Sequence, residues 1–221
     1  MKPTETLARA AAPDGSQLTL HRHDGAYFIR VDGVELMSTR RVHSEQELAV
    51  LACTPVRDQT QVSVLVGGLG FGCTLRAALA VLPSHARVTV AELVPAVIAW
   101  NRNPEWPLAA DSLADPRVTV VPQDVAQVLR DHPQGFDAIM LDVDNGAESF
   151  TTGGNAALYR DAGIRATLGA LKPGGVVAWW SVDTEPSFAR ALERAGLQVS
   201  VHRVRSHATS GGRNAIIVAT R

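Results

Sequence analysis

A glycine-rich turn at residues 67–72 is the feature of the sequence that points most directly to chemistry. It reads GGLGFG and stands between a short β-branched run and a helical run rich in Ala and Leu at 73–82. Glycines let the backbone turn sharply and approach a ligand closely, and the start of a helix offers N–H groups with no partner inside the helix. The turn therefore predicts a nucleotide site, although a plain strand–helix turn can look the same.

Three acidic residues stand immediately after apolar runs that predict strands. Glu92 follows the glycine turn by about 20 residues, the distance at which an acid bonds ribose hydroxyls in doubly wound folds. Asp124 and Asp142 follow the next two runs. Because ligands bind outside the carboxyl ends of the strands in an open α/β sheet, we expect these carboxyls to face one crevice. Asp124 can also be the N-cap of the following helix, a role compatible with accepting from an adenine amine.

The spacing of the glycines separates cofactor classes. A dinucleotide turn needs GxGxxG, and counting from Gly68 finds Gly70 and Gly72 but places Cys73 where the third glycine should stand. A P-loop needs a GK[ST] sequence, which the turn lacks. NAD and nucleoside triphosphates are therefore disfavoured as ligands.

Seven short apolar runs alternate with helical stretches over most of the chain. Strands that are apolar on both faces and alternate with helices form a parallel sheet covered on both sides. The last two runs have no helix between them, which predicts a C-terminal antiparallel hairpin. The predicted fold is α/β, with a doubly wound, mostly parallel seven-stranded sheet. The runs lie at 62–66, 88–91, 118–121, 138–141, 176–180, 199–204 and 215–219.

The N-terminal part of the chain has a different pattern. Apolar and polar residues alternate over 18–31, with Asp-Gly turn signals at 24–25 and 32–33, which predicts a small β meander. Residues 44–53 then predict a helix that begins behind Ser44 as its N-cap.

Length and pattern together predict one main domain with a small appendage. We place the β meander and its following helix in residues 1–56, and a Rossmann-like ligand-binding domain in residues 57–221. The polar stretch 145–155 predicts a mobile loop.

Composition excludes several classes of function. A formal net charge of -1 over 221 residues argues against a nucleic-acid partner, since such binding needs clustered Lys and Arg. Cys53 and Cys73 form no CxxC pattern and the histidines have no metal-ligand spacing, so we predict no bound metal and a reducing, cytoplasmic location. No run reaches the roughly 18 apolar residues of a membrane helix, and we expect no membrane partner.

The order of these motifs resembles the class I S-adenosylmethionine-dependent methyltransferase superfamily, and more narrowly its spermidine synthase-like branch. The resemblance covers residues 18–220 and includes the small N-terminal β region. The motifs that carry it are the glycine turn followed by TLR at 74–76, VAELV at 90–94, DPRV and QD within 115–124, FD at 136–137 leading to Asp142, and LKPGGV at 171–176.

The resemblance implies a set of roles. The glycine turn would hold the methionine portion of S-adenosylmethionine or of its decarboxylated form, Glu92 the ribose, and Asp124 the adenine amino group. Asp142 stands at the first acid of the branch's D-[ST]-[ST]-D motif, which takes the proton from an attacking amine, and Asp144 would assist. An acceptor of small size, such as an amine, and a homodimer as a candidate assembly also follow. The predicted cofactor-binding set is Gly67, Gly68, Gly70, Phe71, Gly72, Glu92, Leu93, Asp124, Val125 and Asp142.

Two departures from the branch bear on the reaction. Aminopropyltransferases have an acid in the glycine turn that pairs with the ammonium of the decarboxylated donor, and here Phe71 takes its place. Because that acid at about 4 Å would cost the carboxylate of ordinary S-adenosylmethionine roughly 4 kcal/mol, its loss favours the ordinary donor. Glu45 stands where the branch has a Tyr that lines the polyamine site.

We therefore predict a transferase that moves a methyl group from S-adenosylmethionine to an amine or another nucleophile. The alternatives are a spermidine synthase-like aminopropyl transfer and a module that binds the cofactor without catalysis, since a fold alone does not prove chemistry.

Overall fold

Two β-sheets organise the chain, a small one at the N-terminus and a large one behind it. The computed structural model describes residues 3–143, 155–207 and 211–221. Asp144 and most of the loop predicted at 145–155 lie outside these ranges. Among the residues described, no helix is long and apolar enough to cross a membrane.

The small sheet is antiparallel, and its strands follow chain order. The Asp-Gly pairs at 24–25 and 32–33 connect its second strand to the third and the third to the fourth, all four residues having positive φ. This is the conformation that two-residue hairpin turns require. The strands are β1 (Glu5–Ala11), β2 (Gln17–His23), β3 (Ala26–Val31) and β4 (Val34–Ser38).

The large sheet contains seven strands in the order β10-β11-β9-β8-β5-β6-β7. All neighbours are parallel except β11, which is antiparallel to both β9 and β10. The predicted α/β class, the mostly parallel sheet, the N-terminal meander and the C-terminal hairpin are thereby confirmed. The strands are β5 (Ser63–Gly67), β6 (Arg87–Ala91), β7 (Val118–Val121), β8 (Phe136–Leu141), β9 (Leu171–Ser181), β10 (Gln198–Arg205) and β11 (Arg213–Thr220).

Helices connect the strands of the large sheet, and one further helix leads into it from the small sheet. The described helices are α1 (His43–Cys53), α2 (Cys73–Val81), α3 (Pro95–Arg102), α4 (Ala110–Leu113), α5 (Val125–Asp131), α6 (Asn155–Leu158), α7 (Asp161–Ala170) and α8 (Pro186–Arg194).

One buried apolar cluster joins the two sheets. It contains Leu20 and Ile29 from the small sheet together with Val64 and Val66 of β5 and Leu48 of α1, each 2% exposed or less. The boundary predicted at residues 56 and 57 remains a prediction, but the side chains on its two sides share one core. A second cluster covers the opposite face of the large sheet around Trp179 and Phe188.

The predicted N-cap of the first helix is wrong. The helix begins at His43 behind Val42, and no side chain caps it. Ser44 lies inside the first turn, where its hydroxyl donates to Glu45 and accepts from the side-chain amide of Asn214. A tertiary hydrogen bond therefore occupies the group that local sequence marks as a cap.

Candidate active site

The glycine turn lies directly against the end of β8. Gly68 has a φ of +91°, and a Cβ atom built on it would stand 2.3 Å from the carbonyl oxygen of Asp142. The backbone N–H of Asp142 donates to the carbonyl of Gly67 at 2.9 Å. Only glycine accommodates both the left-handed backbone and this close approach. The turn and the carboxyl end of β8 are thus fixed against each other.

Glu92 fastens the turn to the end of β6. Its Oε2 accepts from the backbone N–H of Leu69 at 3.0 Å, and its Oε1 accepts from that of Val94 at 2.8 Å. Burial raises the pKa of the Glu92 carboxyl, while these N–H donors act in the opposite direction. Glu92, which the sequence predicts as a ribose ligand, therefore also stabilises the structure, because it links two loops at the carboxyl edge of the sheet.

Asp124 is the N-cap of α5. Its Oδ1 accepts from the backbone N–H of Ala126 at 2.8 Å, which confirms the capping alternative. Asp124 also lines the crevice beside Val125, so the second predicted role remains geometrically open to it.

A first cavity of about 110 Å³ lies over the glycine turn. The small sheet forms its other wall with apolar side chains. Ligand pockets have volumes of about 300–1,000 Å³, so a nucleoside must widen this cavity or extend beyond it. The lining from the large sheet includes Gly68, Gly70, Glu92, Leu93, Asp124, Val125 and Asp142, and that from the small sheet includes Leu18, Ile29, Val31, Leu36 and Met37.

Asp142 stands where this cavity meets a second one. Its Oδ2 accepts from the hydroxyl of Thr74 at 2.7 Å, so the first turn of α2 orients the carboxyl. Burial raises the pKa of Asp142 to about 6, against the lowering effect of the Thr74 hydrogen bond. A carboxyl with such a pKa can exchange a proton near neutral pH.

The second cavity has a volume of about 470 Å³, and two acids besides Asp142 line it, Glu45 and Glu35, of which Glu35 pairs with Arg41. Burial, followed by the neighbouring Asp142 carboxylate, raises the pKa of Glu45 to about 7. Phe71 and Cys73 lie beside Glu45 in the wall, and Trp180 contributes from the end of β9. The cavity is therefore acidic on one side and partly aromatic, a combination that fits an organic cation.

The two cavities share four residues, so they form one continuous site. A ligand in the first can present a reactive atom to a second molecule in the other, with a carboxyl at the boundary. Among the described residues, no three His, Cys, Asp or Glu side chains converge so as to hold a metal ion. The shared residues are Leu36, Met37, Gly70 and Asp142.

No family model matches the chain, but sequence comparison finds polyamine aminopropyltransferases. The polyamine aminopropyltransferases of Thermoanaerobacter sp. (strain X514) and Thermoanaerobacter pseudethanolicus (strain ATCC 33223 / 39E) are each 25% identical to it over 188 residues. The match covers 85% of this chain and 64% of each relative. The chain thus spans less than two thirds of the length of these relatives.

Comparison with solved structures finds spermidine synthases. The spermidine synthase of Thermotoga maritima superposes with a TM-score of 0.72 at 20% identity, over 97% of this chain and 72% of the other. A spermidine synthase in complex with the transition-state analogue AdoDATO gives 0.74 at 19% identity and the same coverage. A probable spermidine synthase from Corynebacterium glutamicum ATCC 13032 gives 0.64 at 19% identity, over 100% of this chain and 81% of the other. The chain has the spermidine synthase fold. The resemblance of its sequence to that branch is confirmed at the level of the fold.

The structure brings most of the predicted site residues to one crevice. Gly68, Gly70, Glu92, Leu93, Asp124, Val125 and Asp142 line the first cavity. Three others do not line it. Gly67 packs against the side chain of Val125, Gly72 packs against Ala109, and Phe71 is 5% exposed and lines the second cavity instead. The binding roles of all these residues remain predictions.

Sequence reasoning missed several residues of the site. Met37 and its neighbours come from β4, which the N-terminal alternation did not predict. The sequence marks Thr74 only as part of the TLR motif, yet its hydroxyl donates a hydrogen bond to the Asp142 carboxyl. Glu45 was noted only as a departure from the branch, and its position opposite Asp142 depends on how α1 packs on α2. A polar side chain at the start of a helix that follows a glycine turn is the signal that marks Thr74.

Proposed function

We propose that this chain transfers the aminopropyl group of decarboxylated S-adenosylmethionine to a small amine. The first cavity would hold the adenosyl part, with Glu92 at the ribose and the second Asp124 oxygen at the adenine amino group. The second cavity would hold the acceptor, and the aminopropyl chain of the donor would reach into it past Asp142. The curated relatives are polyamine aminopropyltransferases, and the solved structures of the same fold are spermidine synthases. Both support aminopropyl transfer over the methyl transfer that the sequence favoured.

The observation that carries this proposal is the position of the Asp142 carboxyl at the boundary of the two cavities. A primary amine has a pKa of about 10 and is protonated at neutral pH, so it cannot attack until a base removes a proton. A carboxylate at the boundary can first bind the ammonium and then accept its proton. The hydrogen bond from Thr74 keeps one carboxylate oxygen in place and leaves the other to the substrate.

The reaction is a single displacement. The amine nitrogen forms a bond to the propyl carbon next to the sulfonium, the bond from that carbon to sulfur breaks, and its electron pair stays on sulfur as methylthioadenosine. The proton lost by the attacking nitrogen goes to Asp142 and then to solvent. No covalent enzyme intermediate is needed, so alignment of the two substrates supplies most of the acceleration.

The sequence-based preference for methyl transfer rested on the absence of an acid from the glycine turn. In the structure Phe71, which takes that acid's place, belongs to the buried apolar cluster and leaves the first cavity to other residues. Carboxyls reach the site from β8 and α1 instead. The absence of an acid in the turn therefore does not leave the site without negative charge.

The test is product analysis with each donor in turn. The chain is incubated with decarboxylated S-adenosylmethionine and a series of primary mono- and diamines, and separately with S-adenosylmethionine and the same amines. We expect methylthioadenosine and an aminopropylated amine in the first set. S-adenosylhomocysteine in the second set, with no methylthioadenosine in the first, would support methyl transfer instead. Binding of the nucleosides without any product would support the non-catalytic module.

A further inference from the structure

The glycine turn of this chain has no carboxylate, and the other acids around the first cavity have other partners. Glu92 accepts two backbone N–H groups, and Asp124 caps α5. Asp142 accepts from Thr74 and is the base of the proposed reaction. Every S-adenosylmethionine-type donor with an aminopropyl chain carries an ammonium at the end of that chain, so the site needs a further acid to bind it.

Glu45 lines the second cavity together with Asp142, and it comes from an element other than the glycine turn. Its helix, α1, packs on α2, and α2 begins immediately after the glycine turn. The hydroxyl of Thr74 lies 3.5 Å from the backbone oxygen of Glu45 and donates to Asp142 at 2.7 Å. The two acids and the end of the turn therefore meet around the first residues of α2, and Glu45, Phe71 and Asp142 line the same cavity.

The Glu45 carboxyl is held in position. Its Oε2 accepts from the hydroxyl of Ser44 at 3.0 Å, and that hydroxyl in turn accepts from the Asn214 amide of β11 at 3.1 Å. The same contact explains why Ser44 is not the cap of α1. Burial and the Asp142 carboxylate both act against the ionised form of Glu45, and a cation placed near the pair would offset both effects.

We propose that Glu45 is the donor-selecting residue of this site, taking from α1 the part that an acid in the glycine turn plays in aminopropyltransferases. It would bind the terminal ammonium of decarboxylated S-adenosylmethionine. The carboxylate of ordinary S-adenosylmethionine would face Glu45 and Asp142 together and be repelled. This inference rests on the proposed function for the identity of the donor, but it concerns binding and can be tested without turnover.

The test is calorimetry of three ligands with the wild-type chain, Glu45→Gln and Glu105→Gln. The ligands are decarboxylated S-adenosylmethionine, S-adenosylmethionine and methylthioadenosine, which has the nucleoside but neither charged end of the chain. Glu105 is an exposed glutamate that lines neither cavity and serves as the matched control. We expect Glu45→Gln to weaken the decarboxylated donor about tenfold to a hundredfold, the range for loss of one charged hydrogen bond. Methylthioadenosine should bind the three proteins equally.

Three results would overturn the proposal. The first is unchanged affinity of Glu45→Gln for the decarboxylated donor. The second is an equal loss for methylthioadenosine, which would make Glu45 a structural residue. The third is a change confined to the KM of the amine acceptor, which would assign Glu45 to the acceptor. Glu45→Asp, which keeps the charge, should restore part of the lost affinity. If no aminopropyl transfer is found, the proposed function fails, yet the three affinities still decide the role of Glu45.

Discussion

Asp142 is the residue on which the proposed chemistry depends. Asp142→Asn keeps the shape and the hydrogen bond from Thr74 but cannot accept a proton. We expect kcat to fall by about a hundredfold to ten-thousandfold, the usual contribution of a general base. Binding of methylthioadenosine should change little, because the nucleoside needs no proton transfer. Steady-state kinetics and calorimetry measure the two effects.

Asp58→Asn is the matched control, since Asp58 is an exposed carboxylate outside both cavities. Asp142→Asn with a kcat close to that of the control would remove Asp142 from the role of base.

The two acids also predict a pH dependence. The pKa of Asp142 is raised to about 6 and that of Glu45 to about 7, so the base is increasingly ionised as the pH rises through this window. At saturating donor, kcat should therefore fall as the pH is lowered from about 7 to about 5. The other charged or titratable side chains of the second cavity are Cys73, whose pKa is also raised by burial, Arg41, which lowers the pKa of Glu45 and pairs with Glu35, and His207.

Glu45→Gln should leave the acid limb of the profile in place, because Asp142 has the lower pKa of the two acids and ionises while Glu45 is still protonated and uncharged. An acid limb that moves to lower pH in this variant would show that Glu45 is already ionised when Asp142 loses its proton.

Among the elements, the contact between the glycine turn and the end of β8 fixes the position of Asp142, the proposed base, beside the proposed donor cavity. Gly68→Ala should destabilise the protein through both its positive φ and a Cβ atom 2.3 Å from the Asp142 carbonyl. Gly196→Ala is the control, since Gly196 has a φ of +88° but nothing within 4 Å of the added atom. The backbone conformation alone costs roughly 1–2 kcal/mol.

Differential scanning calorimetry should give a Tm decrease of about 2–4 °C per kcal/mol for a chain of this size. We expect the larger decrease, and a loss of methylthioadenosine binding, only for Gly68→Ala. Equal Tm decreases in the two variants, with methylthioadenosine binding unchanged, would mean that the close contact between the turn and β8 contributes neither to stability nor to ligand binding.

The central strands of the large sheet could be predicted from the sequence because β5, β8 and β9 are buried along most of their length and read as short apolar runs. The outer strands of the small sheet could not. In β1, Leu7 is the one large apolar side chain among exposed and partly exposed neighbours, and β4 has no buried residue. An edge strand of this kind depends on its partner strand and not on its own pattern.

The residues of the site also divide into those that the sequence predicts and those that it does not. The acids at strand ends could be predicted, because the parallel sheet brings their positions together whatever the helices do. The position of Glu45 could not, since it depends on the packing of α1 against α2 and on the bond between Ser44 and Asn214, which are far apart in the chain. Propensity and spacing contain no information on such contacts.

At the scale of the whole molecule, one core links the small sheet to the large one. The four tryptophans, at 100, 106, 179 and 180, all lie in the large-sheet part, although Trp100 belongs to the shared cluster, so their fluorescence reports mainly that part. Far-UV circular dichroism reports both parts. We expect the two signals to give the same unfolding midpoint in urea, because a shared core unfolds as one unit. Loss of circular dichroism signal before the fluorescence change would show that the small sheet unfolds independently, as separate domains at 1–56 and 57–221 would.

The shared core also places the small sheet over the first cavity, so both parts of the molecule line the proposed donor site. A competition between the two donors distinguishes aminopropyl transfer from methyl transfer. Equal concentrations of S-adenosylmethionine and its decarboxylated form are supplied with a diamine, and both nucleoside products are quantified by mass spectrometry. We expect methylthioadenosine as the main nucleoside product, in an amount equal to that of the aminopropylated amine. A predominance of S-adenosylhomocysteine, together with a methylated amine, would contradict it.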